Sequence, residues 1–489
     1  MSFRPLSTIA VIGAVAALAG CGWFGRSDAP VPAAPSGPVE PVVVDGMRTS
    51  YADIVDRTSP AVVRIEADHK TKRGSQIQAP DDMFHQFQMP MPNQRPQIER
   101  GLGSGVVVKA DGTILTNYHV VEDADKITVA MSDNKTYPAK VIGTDQPSDL
   151  ALIKVEASNL PYLTLGDSDK VRVGDIVLAI GNPLGIGQTV TAGIISAKGR
   201  RTGLSDGSFE DFLQTDAPIN RGNSGGALVS LQGELIGINS QILSGSANGG
   251  SIGIGFSIPS NMARSVMEQL LKDGKVHRGM LGVNIQNITD DTATALELKE
   301  KSGVLVSDVK SGSAAERAGV KRGDVITAFN GEKIEDTNIL RNKVAQTAPG
   351  TEVKLTVSRD GKETDLTVTL DEFKTADSRN PGGNSGDDNG PGSQGDSGKL
   401  GITLEPLTDR MAKQLGIESN GGLVVTDVDP SGPAAEAGID QGDVILEINR
   451  KAVNSVADAR SAIDGSGGRP VLLLISRRGQ TIYLTVKPD

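Results

Sequence analysis

The chain has 489 residues, enough for roughly two to four domains that each bury a core. Its 49 basic residues against 60 acidic ones leave a formal charge of −11, which argues against a nucleic-acid binder. A single cysteine excludes an internal disulfide framework, and four histidines with no H-E-x-x-H leave no metal-hydrolase signature, so neither metal nor cofactor is expected.

In chain order, an export signal comes first. Met1–Arg4 carries a positive charge, and the apolar, small-residue stretch that ends at Gly20 is too short to span a bilayer, so 1–20 reads as a signal peptide. Ala17-Leu18-Ala19 fits an ordinary A-x-A cleavage site. Leu18-Ala19-Gly20-Cys21 instead resembles the lipobox of bacterial lipoproteins, where Cys21 would be lipidated and become the new N-terminus. The lipobox is favoured because the chain's only cysteine falls on it; a lipid would tether the protein to a membrane without a spanning helix. Residues 21–48, rich in Pro and Ala, read as an extended solvated tether.

Over 49–274 short apolar runs alternate with turn residues: Ala61–Ala67, Gly105–Lys109, Thr113–Thr116, Lys126–Met131, Leu150–Val155, Ile176–Ile180, Leu235–Asn239 and Gly253–Ile258. Strands this short and numerous predict a mainly β barrel or sandwich. One insertion, 69–100, is polar with Met83, Phe84, Phe87, Met89 and Met91 among prolines. It reads as a disordered loop or as one that docks on a partner or neighbouring subunit. Ser260–Asp273 predicts a helix capped by Ser260, with Met262, Val266, Met267, Leu270 and Leu271 on one face and Gly274 ending it.

Within this region lies a serine flanked by glycines, Gly222-Asn223-Ser224-Gly225-Gly226. Such a turn can present Oγ, and the amides of Gly222, Asn223 and Ser224 can face the oxygen of a carbonyl under attack. A weak serine nucleophile needs a base, and the base needs a carboxylate to fix its tautomer. His119 ends the run ILTNYHVV and Asp149 heads PSDLALIKV. The order His, Asp, Ser is that of the chymotrypsin-like double barrel. An α/β-hydrolase would need its Asp and His after the serine, and only His277, on a basic stretch, lies downstream.

After the helix comes an internal repeat. Gly303–Ile326 (GVLVSDVKSGSAAERAGVKRGDVI) recurs as Gly422–Ile445 (GLVVTDVDPSGPAAEAGIDQGDVI) at a constant offset of 422 − 303 = 119. Residues 373–398 between the copies have almost no apolar content and read as a flexible linker. Two copies are too few for a solenoid, so tethered binding modules are expected, at 275–372 and 399–489. No GxxxxGK[ST] loop is present, in keeping with independence from ATP.

Together TNYHVV, SDLALIKV, GNSGGAL and the repeated AAERAGVKRGDVI resemble the HtrA/DegP family of periplasmic serine proteases over nearly the whole chain. The resemblance implies a chymotrypsin-like double β-barrel followed by two PDZ domains of α+β type, acting on unfolded or misfolded envelope proteins, with accompanying chaperone activity. By position His119 is the general base, Asp149 its orienter and Ser224 the nucleophile. Ser240, Gln241, Ile242, Leu243 and Ser244 are the loop that pairs with substrate, and Ile219, Ile242 and Leu243 line a small apolar pocket favouring cleavage after small aliphatic residues. Arg278, Gly279, Met280, Leu281, Gly282 and Val283 stand in the carboxylate-binding loop of the first PDZ domain; Lys399-Leu400-Gly401-Ile402 match it in the second. A homotrimer, or a higher oligomer of trimers, is implied by the resemblance alone. The 69–100 segment stands where the family has its regulatory loop, and it lacks the cysteine pair of some members.

Overall fold

The computed structural model describes residues 43–44, 47–70, 98–182, 187–203, 209–220, 222–242, 251–298, 301–373, 399–415 and 421–488. The 1–20 signal, Cys21, most of the tether, the greater part of the 69–100 loop, Leu243, Ser244 and the linker beyond Phe373 lie outside them. The chain divides into two compact units, Met1–Asp53 and Ile54–Asp489. In the first, β1 (Val43–Val44) pairs with β2 (Met47–Arg48). No helix among the described residues is long and apolar enough to cross a membrane.

After α1 (Ala52–Thr58) come two closed antiparallel barrels. The first contains β3 (Val62–Lys70), β4 (Ile98–Lys109), β5 (Thr113–Thr116), β6 (Lys126–Ala130), β7 (Thr136–Asp145) and β8 (Leu150–Val155). It closes in the order β3-β4-β5-β8-β7-β6, with α2 (Tyr118–Val121) between β5 and β6. The second contains β9 (Ile176–Gly181), β10 (Thr189–Arg200), β11 (Phe212–Thr215), β12 (Ala227–Ser230), β13 (Leu235–Ile242) and β14 (Gly255–Pro259), closed as β10-β11-β14-β13-β12-β9.

Four of these strands, β7, β10, β11 and β12, escape the apolar-run pattern. β7 and β10 face solvent along most of their length, so ladder bonds hold them rather than apolar side chains. β11 and β12 have four residues each, too few to show a period.

The expected helix forms as α3 (Ser260–Asp273), with Ala263, Val266, Met267 and Leu270 buried. Gly274 ends it in the left-handed region at φ 68°, donating its N–H to the Leu270 carbonyl. Two details differ from expectation. Pro259 holds the N-cap position, and Ser260 is already helical; its hydroxyl donates to the Gly166 carbonyl at 2.9 Å. Leu271 lies a further 100° round the helix from Leu270 and is exposed.

The two repeat copies have the same architecture. In the first module β15 (Gly279–Met280) will be found paired with a later strand; the main sheet runs through β16 (Val283–Asn287), β17 (Val304–Val309) and β18 (Val325–Phe329). β19 (Glu332–Lys333) pairs with β18, and β20 (Glu352–Arg359) and β21 (Lys362–Thr369) complete the sheet. β22 (Asp371–Glu372) returns to pair with β15. Its helices are α4 (Asp290–Ala295), α5 (Ala314–Arg317) and α6 (Thr337–Gln346). The second module repeats the main sheet as β23 (Ile402–Pro406), β24 (Leu423–Val428), β25 (Val444–Ile448), β26 (Lys451–Ala452), β27 (Val471–Arg477) and β28 (Gln480–Val486). Its helices are α7 (Asp409–Leu415), α8 (Pro433–Glu436) and α9 (Val456–Asp464).

Each module has its own core, yet the two are not loosely tethered. Strand alternation puts Leu305 of β17 and Val325 of β18 on the face of the first sheet away from its core. There they are buried against Leu472 and Leu474 of β27 and Tyr483 of β28. The Gln286 amide bonds to both backbone groups of Tyr483, donating to its carbonyl at 2.9 Å and accepting from its N–H at 2.8 Å.

Candidate active site

The seam between the two barrels gathers the residues singled out for chemistry. Asp149 ends a 3₁₀ turn over Gln146–Ser148, with backbone in the left-handed region at φ 54° and ψ 40°. A non-glycine residue there is strained by about 1–3 kcal/mol and needs surroundings that enforce it. They are present: the Asp149 carbonyl accepts from the Asn117 side-chain amide at 2.9 Å and from the Tyr118 N–H at 3.1 Å. Its carboxylate accepts from His119 Nδ1 at 2.9 Å, from the His119 N–H at 3.1 Å and from Ser240 Oγ at 2.8 Å. An ionised carboxylate only accepts, so Nδ1 carries the proton and Nε2 is left with its lone pair.

Ser224 precedes β12 of the second barrel. Among the described residues its hydroxyl donates to the Ser240 carbonyl at 3.1 Å and makes no hydrogen bond to His119. The turn around it is held from the first barrel by Ser104 of β4. Ser104 N–H donates to the Ser224 carbonyl at 2.8 Å and Ser104 Oγ to the Gly222 carbonyl at 2.5 Å. Gly225, at φ 81°, lets the barrels approach this closely; a Cβ there would collide with the Ser104 carbonyl and the Thr116 hydroxyl. Of the three amides expected to face an oxyanion, that of Asn223 is already donated to the Asn220 carbonyl at 3.0 Å. Those of Gly222 and Ser224 have no partner among the described residues.

The residues expected to bind substrate separate into groups. Ile219 is buried in the second barrel's core with Ile242 packed on the same cluster, and its Cδ1 fills the space a side chain at Gly255 would need. Ser240 turns its hydroxyl to Asp149, and Gln241 accepts from Thr202 Oγ1 at 3.4 Å.

In the first module a cavity of about 420 Å³ runs between β16 and α6, lined by Met280, Leu281, Val283, Ile285, Leu340 and Val344 among others. The N–H groups of Leu281 and Gly282, both lining residues, have no partner among the described residues. Arg278, grouped with this loop in the sequence, does not line the cavity. Its guanidinium is buried in the other direction, donating to both Asp145 oxygens at 2.7 and 2.5 Å and lying 4.8 Å over the Phe209 ring. Asp145 also accepts from Ser148 Oγ, so the pair ties the first module to the turn that carries Asp149.

Residues 103–238 match the family described as "Trypsin-like peptidase domain", and 279–370 and 424–477 each match a "PDZ domain" family. The chain is similar to the "Probable periplasmic serine endoprotease DegP-like" of Chlamydia trachomatis, 41% identical over 459 residues that cover 90% of this chain and 88% of that protein. It is likewise 41% identical over 442 residues to the "Periplasmic pH-dependent serine endoprotease DegQ" of Escherichia coli, covering 90% and 91%. The chain belongs to the HtrA/DegP family of serine endoproteases. Among solved structures it is similar to the HtrA-type protease AlgW with a decapeptide, at 43% identity and TM-score 0.55, covering 67% of this chain and all (100%) of that one. The same protease with a tripeptide gives 42% identity and a TM-score of 0.56 over 67% of this chain and 99% of that one.

The DegP-like framework also contains positioning groups that sequence reasoning does not find. Ser104, Thr116, Asn117 and the Ser240 hydroxyl act on backbone or carboxylate groups across long sequence separations. Asn117 alone left a signal, a polar residue inside an apolar run, where it is fully buried.

Proposed function

We propose that this HtrA-type serine endoprotease works through His119, Asp149 and Ser224. His119 Nε2 takes the Ser224 proton as Oγ attacks the scissile carbonyl, Asp149 stabilises the imidazolium, and water hydrolyses the acyl-enzyme with His119 again as base. The Gly222 and Ser224 amides receive the oxyanion. The apolar wall of Ile219 and Ile242 favours a small aliphatic side chain before the cut, loosely, since one methylene is worth about 1–3 kcal/mol. The protease portion is 49–274, and the PDZ modules at 275–372 and 399–489 capture substrate ends. In the first, the Leu281 and Gly282 amides, without a partner among the described residues, hold the terminal carboxylate of a peptide added beside β16. The substrates are misfolded or unfolded envelope proteins, met in the periplasm by a homotrimer or a higher oligomer of trimers, tethered through lipidated Cys21.

The observation that carries this reading is the Asp149 carboxylate, which accepts from His119 Nδ1 and Ser240 Oγ beside the Ser224 turn. Casein cleavage by the mature protein beside Ser224→Ala tests it: loss of the nucleophile should cut turnover about 10⁴–10⁶-fold. Equal cleavage by the two proteins defeats the assignment. A second reading, client holding, is favoured by the Ser224 hydroxyl's bond to the Ser240 carbonyl instead of to His119, a resting arrangement. Protection of a denatured client by Ser224→Ala separates that activity from proteolysis.

A further inference from the structure

Ser104, fully buried on β4 of the first barrel, has every polar group engaged. Its N–H donates to the Ser224 carbonyl at 2.8 Å, and its carbonyl accepts from the Thr116 hydroxyl at 2.7 Å. Its hydroxyl meets two backbone groups of the second barrel side: the Asn182 N–H, just after β9, at 2.8 Å, and the Gly222 carbonyl at 2.5 Å. An amide N–H only donates and a carbonyl only accepts, so the single hydroxyl proton is committed to Gly222.

At Gly222 that bond selects a conformation. Gly222 has φ 95°, and without a Cβ its backbone can turn several ways at little steric cost. The peptide plane that follows it is held at both polar atoms: the Gly222 carbonyl by Ser104, and the Asn223 N–H by the Asn220 carbonyl at 3.0 Å. The next plane is held at its Asn223 carbonyl, which accepts from the Gly226 N–H at 2.9 Å, and its Ser224 N–H has no partner among the described residues. Of these ties only the one from Ser104 comes from a side chain, and it crosses 118 positions from the other barrel. We infer that the Ser104 hydroxyl is a positioning residue for catalysis: by fixing the Gly222 carbonyl it holds the Gly222 and Ser224 N–H groups where the oxyanion forms. This rests on the reading of Ser224 as nucleophile and of those two amides as the oxyanion hole. Charge reaches the hole only as Oγ attacks, so a misplaced hole lowers kcat and leaves ground-state binding alone.

Ser104→Ala deletes the hydroxyl and keeps the backbone bonds to Ser224 and Thr116. Casein kinetics are read beside two inhibitors, a short peptide aldehyde ending in valinal and the matching peptide alcohol ending in valinol. Ser224 Oγ adds to the aldehyde carbon, its proton passes to His119 Nε2, and the carbonyl oxygen becomes the anion in the hole; the alcohol binds without forming a bond. In Ser104→Ala, kcat should fall about 10–10²-fold with KM within about twofold of wild type. The aldehyde should weaken by about the same factor as kcat, and the alcohol should bind as before. Ser104→Cys, which fills the space with a weaker donor, should lie between the two, and it carries the same comparison if the alanine variant does not fold. Wild-type kcat in Ser104→Ala overturns the positioning role. Equal weakening of aldehyde and alcohol also overturns it, because that outcome is a general distortion of the site. A wild-type protein that neither cleaves casein nor is slowed by the aldehyde defeats the Ser224 assignment itself and takes the positioning role with it.

Discussion

The buried pair between Arg278 and Asp145 joins the first PDZ module to the first barrel. Their side chains are 8% and 5% exposed, and the guanidinium also stacks over Phe209. Removing one partner strands the other charge away from water, at a cost of about 3–5 kcal/mol. Removing both and refilling the space with apolar atoms is roughly neutral. Asp145→Ala and Arg278→Ala should therefore each lower the first calorimetric transition of the full chain. The pair Asp145→Leu with Arg278→Met should return within about 1 kcal/mol of wild type. Asp145 carries a second consequence, because it also accepts from Ser148 in the turn that ends at Asp149. Its loss should depress kcat more than it raises KM for casein. A change under about 0.5 kcal/mol in Asp145→Ala, the range of an ordinary surface substitution, would refute the reasoning. So would a double variant as unstable as the sum of the singles.

Three further perturbations follow from particular contacts. Gly225→Ala should abolish proteolysis and destabilise the fold, since its Cβ meets the Ser104 carbonyl and its φ is 81°; retained casein cleavage would contradict this. Burial, then the like charges of Asp169, push the Asp211 carboxyl up to about 6 from 3.8. The folded chain thus holds a proton that the unfolded chain releases, so this group detracts from stability fully above the folded value and not at all below the unfolded one. Asp211→Asn should raise Tm at about pH 7.5 and leave it unchanged at about pH 3, and a pH-independent gain would show that proton linkage is not the cause. Tyr483→Ala should release the second module from the first, read as a larger radius of gyration in small-angle scattering, and an unchanged radius would mean the Gln286 bonds suffice.

The parts legible in the sequence were those with local signatures. The order of His119, Asp149 and Ser224, the glycine-flanked turn and the 119-residue offset are all patterns in a short window or a fixed shift. The offset maps β17 onto β24 (423 − 304 = 119). It also maps buried Asp324 onto Asp443, each bonded by an arginine from a later strand, Arg359 and Arg477, at 2.7 Å. Those arginines were invisible because they lie beyond the repeated block. Asn117, Ser104 and the Ser240 hydroxyl act across 32, 118 and 91 positions, where no window reaches. Packing of the two modules had a readable trace. Val471–Ile475 is apolar without alternation and buried throughout, the mark of a strand covered on both faces.

That packing changes how the modules serve the site. Modules on flexible connections would raise the local concentration of a captured chain by an amount set by tether length. Here the first module is bound to the barrels by Arg278 on Asp145 and by Asn342 on the Glu210 carbonyl at 2.8 Å, and the second is bound to the first. A rigid connection delivers a captured chain well or not at all, depending on geometry rather than reach. It also makes docking and chemistry share parts. Arg278 bears on Asp145, Asp145 on Ser148, and Ser148 adjoins Asp149, whose strained backbone is held from the opposite side by Asn117 and Tyr118. Arg278 is thus linked through Asp145 and Ser148 to Asp149, which bonds to His119 and to Ser240, and the Ser240 carbonyl accepts from the Ser224 hydroxyl.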